Sequence, residues 1–267
     1  MNGINCVVKI GSMALIRKQD DDIDYNVLAR LGAELKPGMA LISSGATEIG
    51  RLDFIKRTGR ELTGERDDVI TDYAAQGQAI LMSQYRQFIR PEYSVRQVLV
   101  EHTHFNDPDK REHIRRLLLR CPEQNAVPII NYNDPVSAEE NRKLELSALR
   151  KNTDAVVECI DNDETAVVIA ELVGAETLVL LLSTEGIYRD AEDASTLVEH
   201  VGGNDPDELE KNIRKLQETL NGAVLAEGTV EYGKNHINRY IIIFAFRKAC
   251  DLVLRYFLLS CYAASHK

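Results

Sequence analysis

The sequence lacks a long apolar run, because charged residues interrupt each hydrophobic stretch before about 18 residues have passed. A transmembrane helix needs roughly 20 mainly apolar residues, so none is predicted. The amino-terminal segment becomes charged by Arg17, too early for the apolar core of a secretory signal. These absences favour a soluble, cytoplasmic protein that has no membrane partner.

Long basic runs are missing as well. Lysine and arginine number 32 against 42 acidic residues, which leaves a formal net charge of −10. Nucleic-acid binding requires a basic surface, so this balance excludes a nucleic acid as the expected partner. The densest basic patch, formed by Arg115, Arg116 and Arg120, is typical of the solvated face of a helix.

Cysteines are few, odd in number and without metal-ligand spacing. They are Cys6, Cys121, Cys159, Cys250 and Cys261. Their scatter predicts buried thiols in a reducing compartment rather than a disulfide framework. His102 and His104 lie in a predicted loop with no third ligand nearby, so no metal site is predicted.

What is present is an alternation of short apolar segments with longer amphipathic ones. The apolar segments, typical of buried parallel strands, lie at residues 4–10, 39–42, 95–100, 127–130 and 177–182. Helical patterns lie at residues 25–31, 64–90, 108–119 and 165–172. The alternation predicts an α/β fold, a three-layer sandwich with a mainly parallel central sheet and helices on both faces. No repeat or linker interrupts it, so residues 1–267 are predicted to form a single domain.

Polar residues follow the predicted strands. Two acidic turns, at residues 131–134 and 161–164, bracket one segment of the chain. In α/β proteins ligands bind in the crevice outside the carboxyl ends of the strands. The two turns therefore predict a ligand site at this edge of the sheet.

Two turns of small residues carry a second signal. Lys9 precedes Gly11 and Ser12, so backbone N–H groups and a lysine could reach the same phosphate; the alternative is a surface lysine beside a turn. Residues 43–50 place hydroxyl groups and a helix N-terminus after the second strand. That arrangement suits a bound anion, or it serves only as a helix cap.

Six motifs, taken in their order along the chain, resemble those of the amino-acid kinase superfamily, and within it the glutamate 5-kinase family. They are VKIGS at 8–12, SSGA at 43–46, AAQGQ at 74–78, VPIINYND at 127–134, DND at 161–163 and LLSTEGIY at 181–188. The resemblance implies a kinase that uses ATP and Mg²⁺, has the fold of that superfamily and forms a homo-oligomer.

The resemblance also implies catalytic and nucleotide-binding residues. Lys9 would stabilise the phosphoryl group during its transfer, and Asp163 would orient lysines from two sides of the site. Phosphoryl transfer is catalysed mainly by positioning and charge neutralisation, so these roles suit a lysine and an aspartate. The nucleotide would be held by Gly11, Ser12, Ser183, Thr184 and Gly186. The family commonly carries Thr-Asp where this chain has Ser183-Thr184.

The acceptor substrate would be held by another group of residues. Ser44, Gly45 and Ala46 would cradle a carboxylate through a hydroxyl and helix-terminal N–H groups. Asp134 and Asn162 would face the amino end of the substrate, where a carboxylate is the natural partner of an ammonium.

One departure from the family lies between Asp134 and Asp161, where the connection is longer than usual and highly charged. Within it, residues 137–151 are partly helical in pattern, and residues 155–160 alternate weakly, like an edge strand or a hairpin arm. This departure leaves the identity of the acceptor open.

A second departure covers residues 225–267. The family has a Gly-Gly-Met-x-x-Lys element that supplies a second catalytic lysine, whereas Lys234 here has no matching motif around it. One hypothesis is a shifted reading frame, which resequencing of the gene tests. The other is a divergent tail with a helix over residues 241–259 that packs on the sheet.

These features lead to the hypothesis of a kinase that phosphorylates a carboxylate, with glutamate as the first candidate, to form an acyl phosphate. A different acceptor, such as a nucleoside monophosphate or a phosphonate, would require an arginine near Ser44, and Arg51 is the candidate. The same motifs are also compatible with a non-catalytic, nucleotide-binding regulatory protein and with a storage or structural oligomer of the same fold.

Overall fold

The computed structural model describes residues 3–137, 139–151, 156–157, 159, 161–182, 193–196 and 240–245. The chain divides into two compact units, one of Met1–Leu180 with Arg239–Ile242 and the other of Leu181–Asn238 with Ile243–Lys267. In the second unit, Asp193 accepts hydrogen bonds from the backbone N–H and the hydroxyl of Ser195, at 2.8 and 2.7 Å, and so holds a short 3₁₀ turn at Ala194–Thr196.

The strands form one large sheet and one small ribbon. In chain order they are β1 Cys6–Ile10, β2 Ile16–Arg17, β3 Asp22–Ile23, β4 Met39–Ser43, β5 Ser94–Val100, β6 Ala126–Tyr132, β7 Thr177–Leu182 and β8 Tyr240–Ala245. The large sheet has the order β5-β6-β4-β1-β7-β8, and β2 pairs with β3 in the antiparallel ribbon.

The core of the sheet is parallel. Strand β1 pairs with β4, β4 with β6, and β5 with β6, all in the parallel sense. Every residue of β1, β4 and β6 is buried, as expected of strands covered on both faces. The predicted α/β sandwich with a mainly parallel sheet is confirmed.

Seven α-helices lie in the described ranges. They are α1 Tyr25–Glu34, α2 Ala46–Thr58, α3 Arg66–Phe88, α4 His102–Asn106, α5 Pro108–Arg120, α6 Glu139–Arg150 and α7 Asn162–Val173. Three of them begin at an aspartate whose carboxylate accepts two backbone N–H bonds, namely Asp24, Asp107 and Asp161. None of the helices in this part of the chain combines the length and apolar character needed to cross a bilayer.

Two glycines let α2 and α3 approach closely. A Cβ on Gly77 would lie 1.7 Å from the carbonyl oxygen of Ala46, and one on Gly50 would lie 1.9 Å from that of Tyr73. The prediction that small residues of α3 admit a neighbouring element is therefore confirmed at Gly77. This contact sets the position of Ala46, the first residue of α2.

Three sequence predictions were wrong in their secondary structure. His102 and His104 lie on α4 rather than in a loop, because Glu101 and His104 cap the helix reciprocally. Within residues 155–160, the described Val156, Val157 and Cys159 are not in a strand. Residues 240–245 form β8 rather than the start of a helix, which agrees with a run rich in isoleucine and aromatic residues; the rest of the predicted tail helix lies outside the described residues.

Candidate functional site

A buried ion pair joins the first strand to the start of α7. The Lys9 Nζ lies 2.6 Å from the Asp163 Oδ1, and the two side chains are 6% and 18% exposed. Lys9 is the penultimate residue of β1, and Asp163 lies in the first turn of α7, where the helix dipole favours a negative charge. The structure thus brings the two predicted catalytic residues into direct contact.

A chain of side-chain amides runs beside this pair. The Asn162 side-chain Oδ1 accepts the backbone N–H of Tyr132 at 3.0 Å, and the Asn162 Nδ2 donates to the side-chain Oδ1 of Asn131 at 2.9 Å. Asn131 in turn donates to Gln78 on α3 at 2.7 Å. Asn162, a predicted acceptor-binding residue, is therefore fixed from two other elements.

The far end of the amide chain is buried. Gln78 is 7% exposed, and its Nε2 has no hydrogen-bond partner among the described residues. Sequence reasoning included Asn131 in an acidic turn at the predicted ligand site but gave it no role, and it did not place Gln78 in the site. The sequence did show that both are amide residues inside matched motifs, at 74–78 and 127–134.

The two small-residue turns lie against each other. Gly45 has a φ of +102°, which disfavours any other residue, and a Cβ there would lie 3.1 Å from the Leu15 Cδ1 and 3.6 Å from the Ser12 Cα. The Ser44 N–H donates to the Ile10 carbonyl at 3.1 Å, so the turn after β4 is tied to the end of β1. Predicted nucleotide-binding and acceptor-binding residues are thus neighbours, together with Ala46 at the start of α2.

Gly11 itself has an ordinary extended backbone, with a φ of −73° and a ψ of 151°. This conformation is one that any residue can adopt, so the backbone at this position does not require glycine. Ser12 begins a short 3₁₀ turn, Ser12–Ala14, directly after β1.

Asp134 has a protein cation as its partner. Its carboxylate accepts a hydrogen bond from the Nη2 of Arg142, a residue of α6. The Arg142 side chain is 7% exposed, its Nε donates to the Ser137 carbonyl at 2.8 Å, and its guanidinium carbon lies 3.9 Å from the centroid of the Tyr132 ring. Sequence reasoning did not identify Arg142. The sequence indicated only that the connection between Asp134 and Asp161, which contains Arg142, is unusually long and highly charged.

Helix α6 also packs beside α4. Leu146 of α6 is buried, and the Glu145 carboxylate lies 3.0 Å from the His102 Nε2, which makes no hydrogen bond among the described residues; the His102 Nδ1 lies 3.1 Å from the Tyr132 hydroxyl. Burial lowers the pKa of His102, against the opposing effect of Glu145. Burial also raises the pKa of Tyr132 to about 12, so its hydroxyl stays protonated at neutral pH.

Arg51, the predicted candidate for binding a phosphate acceptor, is surrounded by acids. Its guanidinium donates to Glu48 and Glu61 at 2.7 Å each and to Asp21 at 3.1 Å. The bond to Glu48 is the largest of several effects that raise the pKa of Arg51. Its positive charge is therefore already balanced by carboxylates of the protein.

Three of the predicted nucleotide-binding residues, Ser183, Thr184 and Gly186, lie outside the described residues, and so does Lys234. In the ranges that are described, no three His, Cys, Asp or Glu side chains gather in a way that could hold a metal ion.

Taken together, the geometry defines an α/β protein with a lysine–carboxylate pair and two small-residue turns at one end of its parallel sheet. The model of the family described as "Amino acid kinase family" matches residues 5–241, and the chain belongs to that family. The resemblance seen in the motifs is thereby confirmed.

Curated relatives carry one recurrent name. A glutamate 5-kinase of Alkaliphilus metalliredigens is 30% identical over 207 residues, which are 73% of this chain and 70% of that protein. A glutamate 5-kinase of Enterococcus faecalis is 28% identical over 69% of this chain and 64% of its own length. For a glutamate 5-kinase of Bifidobacterium adolescentis the identity is 33%, over 68% of this chain but only 45% of that protein.

Among solved structures, an isopentenyl phosphate kinase of T. acidophilum in its product complex matches with a TM-score of 0.47 and 11% identity, over 90% of each chain.

Proposed function

We propose that this protein is an ATP-dependent kinase that transfers the γ-phosphoryl group to a carboxylate and forms an acyl phosphate, as a glutamate 5-kinase does. The observation that carries the proposal is the 2.6 Å pair of Lys9 and Asp163 beside the two small-residue turns. The names of the curated relatives support glutamate as the first acceptor to test.

Lys9 supplies the charge that this chemistry requires. Its ammonium lies at the end of β1, next to the turn at Ser12–Ala14, and the bond to Asp163 holds it in place. A preorganised positive charge of this kind stabilises the negative charge that develops on the transferring phosphoryl oxygens. Asp163 acts by orienting Lys9.

The types of residue at these turns suit the phosphates of a nucleoside triphosphate. A Cβ on Gly45 would lie 3.1 Å from the Leu15 Cδ1 and 3.6 Å from the Ser12 Cα, so glycine allows the two turns to approach this closely. When bound, ATP would supply the phosphoryl group, and Lys9, Gly11 and Ser12 would hold its phosphates. Mg²⁺ is commonly bound through nucleotide phosphates and water with only one or two carboxylates, so it requires no dedicated cluster of acids.

The acceptor would be bound at the start of α2. Ser44, Gly45 and Ala46 would offer a hydroxyl and helix-terminal N–H groups to a carboxylate, and the amide of Asn162, a second acceptor-binding candidate, is fixed by Asn131. The engagement of Arg51 by three acids gives no support to a phosphate acceptor at that residue.

Trapping with hydroxylamine tests the proposal. The protein is incubated with ATP, Mg²⁺ and glutamate or a series of related carboxylates, and acyl phosphate is detected as the hydroxamate. Lys9→Ala should abolish product, whereas Lys56→Ala, which removes an exposed lysine paired with Asp22, should retain it. Product from Lys9→Ala at the wild-type rate would refute the assignment of Lys9. Nucleotide binding in a thermal-shift titration without turnover would instead identify a non-catalytic nucleotide-binding protein.

A further inference from the structure

The chain of side-chain amides between β6, α7 and α3 has a fixed direction. The Tyr132 N–H is a donor, so the atom of Asn162 that faces it, 3.0 Å away, must be the oxygen. The Asn162 nitrogen then faces the Asn131 oxygen at 2.9 Å, and the Asn131 nitrogen faces the Gln78 oxygen at 2.7 Å. A single backbone group therefore sets the orientation of all three amides.

Gln78 lies at a position where an apolar side chain would avoid a cost in stability. It is 7% exposed, on the buried face of α3 that also carries Ala74, Leu81 and Tyr85. Its Nε2 has no hydrogen-bond partner among the residues that the structure describes, and a buried donor without an acceptor destabilises a protein. What Gln78 contributes is an oxygen for Asn131, which is only 2% exposed itself.

The same turn of α3 contacts the starts of two other helices. A Cβ on Gly77 would lie 1.7 Å from the carbonyl oxygen of Ala46, the first residue of α2. The next residue, Gln78, is connected through Asn131 to Asn162, the first residue of α7. One point on α3 therefore holds both helix starts.

We propose that Gln78 is a positioning residue for the Lys9–Asp163 pair. It acts through Asn131 on Asn162, which precedes Asp163 in the first turn of α7. Contacts that hold Asn162 against β6 also hold the Asp163 carboxylate, whose Oδ1 lies 2.6 Å from the Lys9 ammonium. This inference rests on the proposed function for the role of Lys9 in phosphoryl transfer.

Exchange of the Tyr132 amide hydrogen tests the connection without any substrate. This N–H donates to Asn162, so its exchange with deuterated water, followed by NMR, reports whether the Asn162 side chain stays in place. Gln78→Met offers no oxygen to Asn131, and it should speed the exchange about fivefold or more, the effect of one lost hydrogen bond. Gln78→Glu keeps an oxygen for Asn131 and should keep an exchange rate close to that of wild type.

Turnover tests the effect on the reacting pair. In the hydroxylamine assay Gln78→Met should lower kcat by about tenfold, because the Lys9 charge is no longer held in its productive position. The KM for ATP should stay within about threefold of wild type, since the charge that Lys9 neutralises develops in the transition state. Gln78→Glu should recover most of kcat. In an Asn162→Ala background Gln78→Met should cause no further loss, whereas general damage to the structure would add to it.

Gln76→Met is the matched control. It makes the same substitution two residues away on α3 and removes the bond from the Gln76 Nε2 to Asp53, at 2.6 Å. Tyr132 exchange and kcat should remain those of wild type. Gln78→Met replaces one unpaired buried amide group by another, at Asn131, so its Tm should stay within about 3 °C of wild type. If Gln78→Met does not fold, the shorter Gln78→Leu is measured in the same way.

The inference is overturned if Gln78→Met leaves the Tyr132 exchange rate unchanged, if Gln76→Met changes it equally, or if the full loss of kcat persists in the Asn162→Ala background. Acyl phosphate formation by Gln78→Met at the wild-type rate would overturn the inference and leave the proposed function intact. Faster exchange in Gln78→Met, with no acyl phosphate from any of these proteins, would instead refute the proposed function and support the connection between Gln78 and Asn162.

Discussion

Replacing Asp163 by asparagine would leave the Lys9 ammonium inside the protein without its carboxylate. The Lys9 side chain is only 6% exposed, so water cannot take the place of the lost partner unless β1 or α7 moves. Asparagine is nearly the same size as aspartate, so the variant removes the charge and changes little of the packing. The Asp163→Asn substitution therefore isolates the electrostatic part of the pair.

The structure indicates the size of the effect. Removing one member of a buried ion pair destabilises a protein by about 3–5 kcal/mol. Because the Asp163 side chain is 18% exposed, we expect the lower end, about 3 kcal/mol. For large domains a change of 1 kcal/mol shifts Tm by about 2–4 °C, so Tm should fall by about 6–12 °C.

Thermal unfolding of four proteins tests this reasoning. Lys9→Met combined with Asp163→Asn should recover most of the loss, because no unpaired charge remains. Asp20→Asn, which breaks the exposed pair with Arg17, should leave Tm unchanged. ATP should raise the Tm of Asp163→Asn more than that of wild type, since its phosphates offer Lys9 an anion. An Asp163→Asn protein that melts within about 2 °C of wild type would refute the reasoning.

Two further predictions concern packing and pH. Gly77→Ala would place a Cβ 1.7 Å from the Ala46 carbonyl, and we expect the unfolding free energy in a urea titration to fall by about 2 kcal/mol; undiminished stability would contradict the close approach of α2 and α3. Because burial lowers the pKa of His102, the folded protein binds fewer protons there than the unfolded chain. The stabilising contribution of neutral His102 should be complete above the unfolded-state pKa of about 6.5 and be lost as pH falls toward the lower folded-state pKa. The stability difference between wild type and His102→Gln should change over this range, and a constant difference would argue against the assignment.

The strands of the sheet could be predicted from the sequence because each is a continuous apolar run that ends at turn residues. Strands β1, β4 and β6 are buried throughout, and this is the pattern in which an apolar run is most informative. Helices α1 and α5 were predictable for a different reason: an aspartate precedes each, and in the structure its carboxylate accepts the first free N–H groups. Helix α7 was predicted to begin at residue 165, three residues after its observed start at Asn162, because the acidic residues 161–164 were interpreted as a turn.

The errors occurred where local pattern competes with tertiary contacts. Helix α4 has five residues and is capped by a glutamate and a histidine, neither of which is a strong helix-start signal. The run at 240–245 is apolar throughout, and periodicity alone does not distinguish a buried strand from a buried helix.

The site was predictable only in part. Resemblance to a family selected Lys9 and Asp163, which meet in the structure, because motif order carries information about residues far apart in sequence. Arg142 and Gln78 could not be found in this way. Their roles depend on which residues they contact in three dimensions, and neither the placement of α6 nor the depth of Gln78 follows from the sequence pattern.

The side chain of Asn106 fixes the point at which the chain returns from α6. Its side-chain amide donates to the Val157 carbonyl at 2.9 Å and accepts the Val157 N–H at 2.8 Å, so one side chain clamps the backbone where the chain returns from α6. With the return point clamped from α4, extra residues can be added between the clamp and β6 while the sheet keeps its register. Doubling the length of a loop costs only about 0.6 kcal/mol. Insertion at this point is thus an accessible route by which the connection between β6 and α7 gains a helix without disturbing the sheet.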